Sequence, residues 1–196
     1  MRTAAFKDHF SVAAHEYHRH RPGYPPELFD FLAGAAPGRT LAWDCATGTG
    51  QAAVALAAHF DRVVATDASA AQVAHAVPHP QVSYAVATAE QSGLADRSVD
   101  LVTVAQAMHW LDLDRFFPEL RRVARPGAVF AAWTYSLADG DPAIDPIVRG
   151  FYEEMGPWWP PERVHVEEGY RRLEFPLAPI EAPRFEIRAR WPLDRL

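Results

Sequence analysis

Cysteine and long apolar runs are scarce in this sequence, and both shortages limit what the protein can be. One cysteine, Cys45, occurs in 196 residues, which excludes an internal disulfide framework and is typical of a reducing compartment. No apolar run approaches the roughly 18 to 20 residues that a membrane-spanning helix needs. The first residues also lack an apolar signal core followed by a small-residue cleavage site. We therefore expect a cytoplasmic protein that has no membrane partner.

Basic side chains are in the minority. The chain has 19 Lys and Arg against 25 Asp and Glu, so its formal net charge at pH 7 is −6. A net acidic chain is a poor candidate for binding nucleic acid, because the phosphate backbone is itself negative. The length and the 49% hydrophobic content are enough for one domain with a closed core.

Short apolar segments alternate with helical patterns between residues 40 and 133. Strands are expected at residues 40–45, 62–67, 82–87, 99–105 and 127–133. Helices are expected at residues 51–60, at residues 69–76 with Ser69 as a cap, and after Asp114, which would cap a helix with Pro118 near its first turn. This alternation predicts an α/β fold, a doubly wound, Rossmann-like and mostly parallel sheet. Ligands of such sheets bind at the carboxyl ends of the strands.

The two flanks of this core have other patterns. A helical spacing of apolar residues spans Phe6 to Tyr17, and a second short helix should begin at Pro26. After residue 133 the sequence is rich in proline and aromatic residues, with one helix expected around residues 144–155. Residues 184–191 alternate between apolar and polar, as in a strand with one wet face.

A glycine-containing turn follows the first strand, and an acidic residue ends the second. Residues 44–50 read Asp-Cys-Ala-Thr-Gly-Thr-Gly, and Asp67 lies 17 residues after Gly50. The glycines let the backbone approach a ligand closely, and the carboxylate can accept both hydroxyls of a ribose. In this order and spacing the two features predict a nucleoside-binding site.

Two classes of cofactor fit that site. The spacing of Gly48, Gly50 and Ala53 satisfies the dinucleotide pattern G-x-G-x-x-A, which favours an NAD(P)-linked oxidoreductase. Asp44 favours the second class, a cationic cofactor without phosphate, because an acid at the mouth of the loop would repel a pyrophosphate and attract a cation. S-adenosylmethionine (SAM) carries an ammonium and a sulfonium and no phosphate.

The sequence resembles the class I SAM-dependent methyltransferases, and more narrowly the small-molecule branch that includes trans-aconitate methyltransferase-like proteins. The resemblance lies in residues 17, 21–25, 43–51, 64–69, 89–90, 105–110 and 122–127. One departure is Ala46, which stands where the family usually has its first glycine and should reshape the loop slightly. The resemblance implies N-terminal cap helices (1–39), a SAM-binding core (40–135), and a substrate-side insert with the last strand (136–196), in one structural domain.

The resemblance also implies roles for individual residues. Asp44 and the loop backbone would hold the methionine end of SAM, Asp67 the ribose, and the segments after the second, third and fourth strands the adenine and the methyl donor. The N-terminal segment would close over the site. The cofactor-binding residues implied in this way are Tyr17, Arg21, Asp44, Ala46, Thr47, Gly48, Gly50, Gln51, Asp67, Ala68, Ser69, Ala89, Glu90, Gln106 and Ala107.

His109 is the only histidine in the loops expected at the carboxyl ends of the strands, here called the rim of the sheet, and it is the candidate catalytic residue. The competing interpretation is a structural histidine that packs beside Trp110. Aromatic side chains could wall an apolar pocket for the acceptor. The candidate substrate-binding residues are Tyr24, His109, Trp110, Trp133, Tyr135, Trp158 and Trp159. No metal site is expected, since residues 15–18 (His-Glu-Tyr-His) are one residue too short for H-E-x-x-H.

The function that follows is a SAM-dependent methyltransferase acting on a small-molecule acceptor, with a carboxylate as a candidate. The alternatives are an NAD(P)-linked oxidoreductase and a SAM-binding protein without catalysis. Sheets of the family normally have seven strands, and this chain supplies five parallel ones and one alternating segment. The C-terminal antiparallel strand should therefore be missing or incomplete, and the open sheet edge could pair with a second copy of the chain.

Overall fold

The protein folds around one parallel sheet. A computed structural model describes residues 22–137 and 140–188. The strands are β1 (Leu41–Cys45), β2 (Arg62–Asp67), β3 (Val82–Val86), β4 (Val99–Ala105) and β5 (Ala124–Trp133). The helices are α1 (Pro26–Ala35), α2 (Gln51–Leu56), α3 (Ala70–Ala74), α4 (Leu113–Val123), α5 (Asp145–Glu154) and α6 (Arg163–Glu167). Two short 3-10 helices are η1 (Met108–Trp110) and η2 (Gly156–Trp158). All neighbouring strands are parallel, in the order β3-β2-β1-β4-β5.

The two faces of the sheet support two separate hydrophobic cores. On the central strand, Ala42 belongs to the core that includes α1 and α2, whereas Trp43 belongs to the core that includes α4. The Trp43 ring lies 6.3 Å from that of Phe116 on α4, measured between centroids. Because successive side chains of a strand point to opposite faces, helices cover both sides of the sheet. The expectation of a doubly wound α/β sheet is confirmed.

The strand order reverses direction beside β1. The chain runs outward from β1 to β2 and β3, then returns to place β4 on the other side of β1. The loops that follow β1 and β4 therefore leave the sheet toward opposite faces and open a crevice at their carboxyl ends. This crevice is where the sequence places its candidate residues.

The helices differ from the expectation in detail. The helix after the glycine turn ends at Leu56, four residues early, because residues 57–60 continue as tighter turns with Ala58 and His59 bonded three residues back. Ser69 caps α3 as expected, accepting a hydrogen bond from the Gln72 amide. Asp114 does not cap α4, since Asp112 occupies the N-cap and Asp114 lies in the first turn, where its charge still suits the helix dipole. Pro118 lies inside α4, beyond its first turn.

The last parallel strand begins three residues earlier than expected. Ala124 pairs with Val99, after which the register jumps so that Leu101 pairs with Val129. The extra residues form a bulge that contains Gly127 at φ 80°. The alternation of apolar and polar residues does not reveal such a bulge, because residues in a bulge do not alternate between the two faces of the sheet.

The expected strand at residues 184–191 is wrong for its described part. Residues 184–188 pair with none of the described strands, and Phe185 instead packs its ring 5.8 Å from Phe31 on the α1 side. An alternating pattern shows only which side chains are buried. A segment that packs on the core can show it without forming backbone hydrogen bonds to a neighbouring strand. Residues 189–191 and the helix expected from Phe6 to Tyr17 lie outside the described residues. Among the described helices, none is long and apolar enough to cross a membrane.

Candidate functional site

The turn after β1 is held in a left-handed backbone conformation. Ala46, Gly48 and Gly50 have φ values of 55°, 58° and 90°. The Thr47 amide donates to the Thr66 carbonyl at 3.0 Å, and the Gly50 amide donates to the Thr47 carbonyl at 3.0 Å. Ala46 thus adopts the conformation that glycine favours, at a cost of about 1–2 kcal/mol for an L-residue. Ala46 therefore shares the left-handed conformation of the two glycines in this turn.

Asp44 lies beneath this turn and is 1% exposed. Its Oδ1 accepts a hydrogen bond from the Thr103 hydroxyl at 2.7 Å, and its Oδ2 accepts one from the Thr47 hydroxyl. The carboxylate also accepts the backbone N–H of Ala53 in the first turn of α2. Burial raises the pKa of Asp44 to about 6, against these hydrogen bonds, which lower it. Asp44 therefore supports the turn from within, and a direct contact with a ligand stays a prediction.

Asp67 connects the end of β2 to the same turn. Its Oδ2 accepts the Gly48 amide at 2.8 Å, and its Oδ1 accepts the Ser69 amide at 2.8 Å. A carboxylate oxygen has two lone pairs and can accept more than one hydrogen bond. Ala68 is half-buried and Ser69 is buried beside it.

Tyr84 on β3 completes the turn, and no sequence pattern singled it out. Its hydroxyl donates to the Val77 carbonyl at 2.8 Å. A Cβ added to Gly50 would lie 2.2 Å from that hydroxyl oxygen, so the glycine is required by close approach as well as by its φ. Burial raises the pKa of Tyr84 to about 12, with a smaller contribution from the charge of Asp44.

The loop after β3 carries Ala89, which is buried, and Glu90, whose Oε1 accepts the Asp112 amide at 3.2 Å. Glu119 on α4 anchors the continuation of this loop by accepting both the amide (2.9 Å) and the hydroxyl (2.6 Å) of Ser92. Arg122 pairs with Glu119 through two nitrogens at 2.8 Å. The Arg122 hydrogen bonds, with those of Ser92, lower the pKa of Glu119 to about 2. Sequence reasoning missed Glu119, since its partner lies 27 residues away.

The residues after β4 continue the rim. Gln106 has φ 59°, and its amide donates to the Trp133 carbonyl at 2.9 Å. The Thr134 hydroxyl donates to Gln106 Oε1 at 3.0 Å. This arrangement fixes the side-chain amide of Gln106 beside the half-buried Ala107.

Three buried polar atoms on this rim have no hydrogen-bond partner among the described residues. They are Gln72 Oε1, Gln106 Nε2 and Trp133 Nε1. Gln72 is 4% exposed, and its Oε1 lies 3.9 Å from where a Cβ on Gly48 would be. Leaving such an atom unpaired costs about 1–3 kcal/mol, so a rim with three of them fits a ligand that supplies both donors and acceptors. The sequence had not indicated Gln72.

Aromatic rings gather on the β5 side of the crevice. Tyr24 lies 5.4 Å from Trp133 and 6.5 Å from Tyr135, measured between ring centroids. Gln51 Nε2 donates to the Pro22 carbonyl at 2.8 Å, which holds this segment over the start of α2. The structure therefore brings together three of the expected acceptor-side aromatic residues.

The remaining acceptor-side candidates lie in two other places. His109 packs 4.5 Å from Trp110 between ring centroids, on η1. Trp158 is 80% exposed, and Trp159 lines a hollow of about 390 Å³ with Tyr152 and Arg163. None of the expected cofactor residues lines that hollow.

Two expectations fall outside what the structure describes. Tyr17 and Arg21, expected to close over the site, lie in the undescribed N-terminal residues, as do His15 and His18 of the rejected metal motif. Across residues 22–137 and 140–188, no group of three or more His, Cys, Asp or Glu side chains could hold a metal ion.

Known proteins that this chain resembles include methyltransferases. A family model described as a methyltransferase domain matches residues 43–132. A solved structure from Anaeromyxobacter dehalogenans, described as a type II methyltransferase, has a TM-score of 0.83 at 56% identity, covering 89% of this chain and 74% of that chain.

Two curated proteins are also similar to the chain. A protein of Dictyostelium discoideum named as a methyltransferase is 35% identical, over 84% of this chain and 65% of its own length. A Saccharomyces cerevisiae protein, whose name describes a SAM-dependent methyltransferase, is 30% identical over 61% of this chain and 44% of its own length. The chain thus spans less than two thirds of these curated relatives.

Proposed function

The chain belongs to the class I SAM-dependent methyltransferases, and we propose that it binds SAM and transfers the methyl group to a small-molecule acceptor. Residues 40–135 would form the SAM-binding core, residues 1–39 the cap, and residues 136–196 the substrate side. The observation that carries the proposal is the Asp67 carboxylate, hydrogen-bonded to the Gly48 amide at the carboxyl end of β2. This geometry offers a ribose two acceptor oxygens directly beside a backbone turn that a side chain does not obstruct.

The other rim residues fit the remaining parts of SAM. Ala68, Ser69, Ala89 and Glu90 would flank the adenine. Gln106 Nε2, a buried donor without a partner among the described residues, suits the methionine carboxylate.

The methionine end of SAM would also contact the glycine turn after β1. The negative charge of Asp44 lies under the turn and favours a cationic ligand. The backbone of Ala46, Thr47, Gly48 and Gly50 would hold this end of the cofactor, and Gln51 would contact it from the start of α2. Tyr17 and Arg21 would close the site from the N-terminal side.

Methyl transfer places modest demands on the protein. SAM supplies the sulfonium leaving group, and the protein aligns the acceptor in line with the methyl. The grouped rings of Tyr24, Trp133 and Tyr135 would exclude water and favour a positive charge beside them. His109 and Trp110 would line the acceptor pocket, and Trp158 and Trp159 would belong to its outer part. A carboxylate acceptor is the preferred class because it is already an anion and needs no general base.

Isothermal titration calorimetry with SAM, with its demethylated product and with NAD tests the cofactor. We expect heat with the first two and none with NAD. Asp67→Asn should weaken SAM binding at least tenfold, whereas Asp61→Asn, an exposed acid before the opposite end of the same strand, should not change it. Binding of NAD alone would establish the oxidoreductase alternative and refute the proposal.

A transfer assay with labelled SAM over carboxylic acids, phenols and amines tests catalysis. Product formation with any small molecule supports the proposal, and carboxylates should give the highest rates. Tight SAM binding without transfer to any acceptor would instead indicate a SAM-binding protein without catalysis. His109→Ala should reduce turnover or acceptor affinity, and unchanged values of both would remove His109 from the site.

We also propose that an open sheet edge supports a homodimer. Within the described sheet, β3 and β5 each pair on one side only. Sedimentation at several concentrations measures the association, and a monomer at all of them would refute it. We expect the protein to act in the cytoplasm on its small-molecule acceptor, with no nucleic-acid partner.

A further inference from the structure

The hydrogen bond between Tyr170 and His109 joins two parts of the chain that are 61 residues apart. The Tyr170 hydroxyl oxygen lies 3.1 Å from His109 Nδ1. Tyr170 is 4% exposed and belongs to the core that contains Met108, the first residue of η1. The contact is therefore part of a packed interface between η1 and the segment that follows α6.

The backbone at Tyr170 is in an unfavourable conformation. Gly169 and Tyr170 have φ values of 59° and 62°, so two successive residues are left-handed after the end of α6. The Tyr170 amide donates to the His165 carbonyl at 2.8 Å, which holds this turn. A bulky residue is rarely found in this conformation, and here the Tyr170 side chain reaches His109 from it.

The chemistry of the two groups decides which of them donates. A neutral imidazole has one nitrogen with a proton and one with a lone pair, and the partner of one nitrogen selects the tautomer. A phenol is a stronger proton donor than a neutral imidazole, and the imidazole lone pair is a stronger acceptor than the phenol oxygen. The favoured bond runs from the Tyr170 O–H to the lone pair of His109 Nδ1.

We propose that Tyr170 is a positioning residue that holds His109 as the tautomer protonated on Nε2. This inference rests on the proposed function, in which His109 lines the acceptor pocket. In that tautomer the Nδ1 lone pair is engaged by Tyr170 and Nε2 carries the proton, so His109 would act toward the acceptor as a hydrogen-bond donor and not as a base. The acceptor would then be a group that attacks the methyl without giving a proton to His109. The oxygen or sulfur atom of the acceptor would accept a hydrogen bond from the Nε2 proton.

Long-range proton–nitrogen NMR on protein labelled with ¹⁵N-histidine tests the proposal without substrate. At pH 8 we expect His109 Nδ1 to show the shift of an unprotonated nitrogen and Nε2 that of a protonated one; His109→Gln assigns the signals. In Tyr170→Phe the two shifts should move toward each other, as for a histidine that exchanges freely between tautomers. Tyr152→Phe is the matched control, because it removes an exposed tyrosine hydroxyl that donates to Glu167, three residues before Tyr170, rather than to His109.

Protonated Nδ1 in the wild-type protein would overturn the proposal, even if Tyr170→Phe failed to fold. Unchanged His109 shifts in a folded Tyr170→Phe variant would overturn it as well, as would an equal change in Tyr152→Phe. Calorimetry with SAM on the same samples reports on the proposed function separately. A wild-type protein that does not bind SAM would refute that function and leave the tautomer result standing.

Discussion

Gly50→Ala tests the packing of the glycine turn directly. The new Cβ would lie 2.2 Å from the Tyr84 hydroxyl oxygen and 2.8 Å from two of its ring carbons, at a residue with φ 90°. The left-handed backbone costs an alanine about 1–2 kcal/mol. Displacing Tyr84 also breaks its hydrogen bond to the Val77 carbonyl, worth about 1 kcal/mol. Together these costs predict a loss of about 2–3 kcal/mol, a large part of a typical total stability of about 5–15 kcal/mol.

The free energy of unfolding in urea, followed by tryptophan fluorescence, measures this loss. Gly93→Ala is the matched control, because Gly93 has φ 74° and no atom within 4 Å of the added Cβ. Its loss should be only that of the backbone, about 1–2 kcal/mol. In a Tyr84→Phe background, which lacks the nearest atom, the cost of Gly50→Ala should fall. Equal losses for Gly50→Ala and Gly93→Ala would refute the close contact as the reason for the glycine.

Three further measurements test the site. The pKa of Glu119 is lowered from an ordinary 4.5 to about 2, so its ionised form stabilises the fold fully above pH 4.5 and this stabilisation is lost as the pH falls to 2. Glu119→Gln should remove about 3 kcal/mol of this pH-dependent stability, measured by urea unfolding at several pH values. An unchanged loss of stability at low pH in the variant would contradict this. The pKa of Asp44 is raised from 3.8 to about 6, so stability should decline by about 3 kcal/mol as the pH rises through that range, and a decline that persists in Asp44→Asn would assign it elsewhere. Ala46→Gly should be neutral or stabilise by up to about 1 kcal/mol, whereas Ala55→Gly inside α2 should lose about 1 kcal/mol; equal losses in thermal unfolding would argue against strain at Ala46.

Much of the core was predictable because its signals are local. The bounds of β2 and β4 agree with the apolar runs at residues 62–67 and 99–105. A strand covered on both faces needs apolar side chains throughout, and a turn with positive φ needs glycine or a residue that tolerates the strain. The same local rules identified Asp67 and the cap at Ser69.

The weaker expectations concern residues whose state depends on a distant partner. Residues 184–188 alternate like a strand, yet Phe185 packs against Phe31 and the segment pairs with none of the strands that the structure describes. Trp158 and Trp159 stay candidates for the acceptor side, and the partner of Trp159, a Tyr152 ring 5.5 Å away between centroids, was not visible in the sequence. Burial of an aromatic residue is visible in a sequence pattern, whereas its partner is not.

By itself the sequence determined the parallel α/β sheet, the glycine-containing turn after β1 and the acid at the end of β2, because each depends on the preferences of a few adjacent residues. Only the tertiary structure decided that Tyr84 closes over Gly50, that Glu119 anchors Ser92 and that Tyr170 reaches His109. These contacts join residues far apart in the chain, and the strand order and the packing of the helices bring them together. A hydrogen bond requires two groups about 3 Å apart, and that distance is a property of the folded chain.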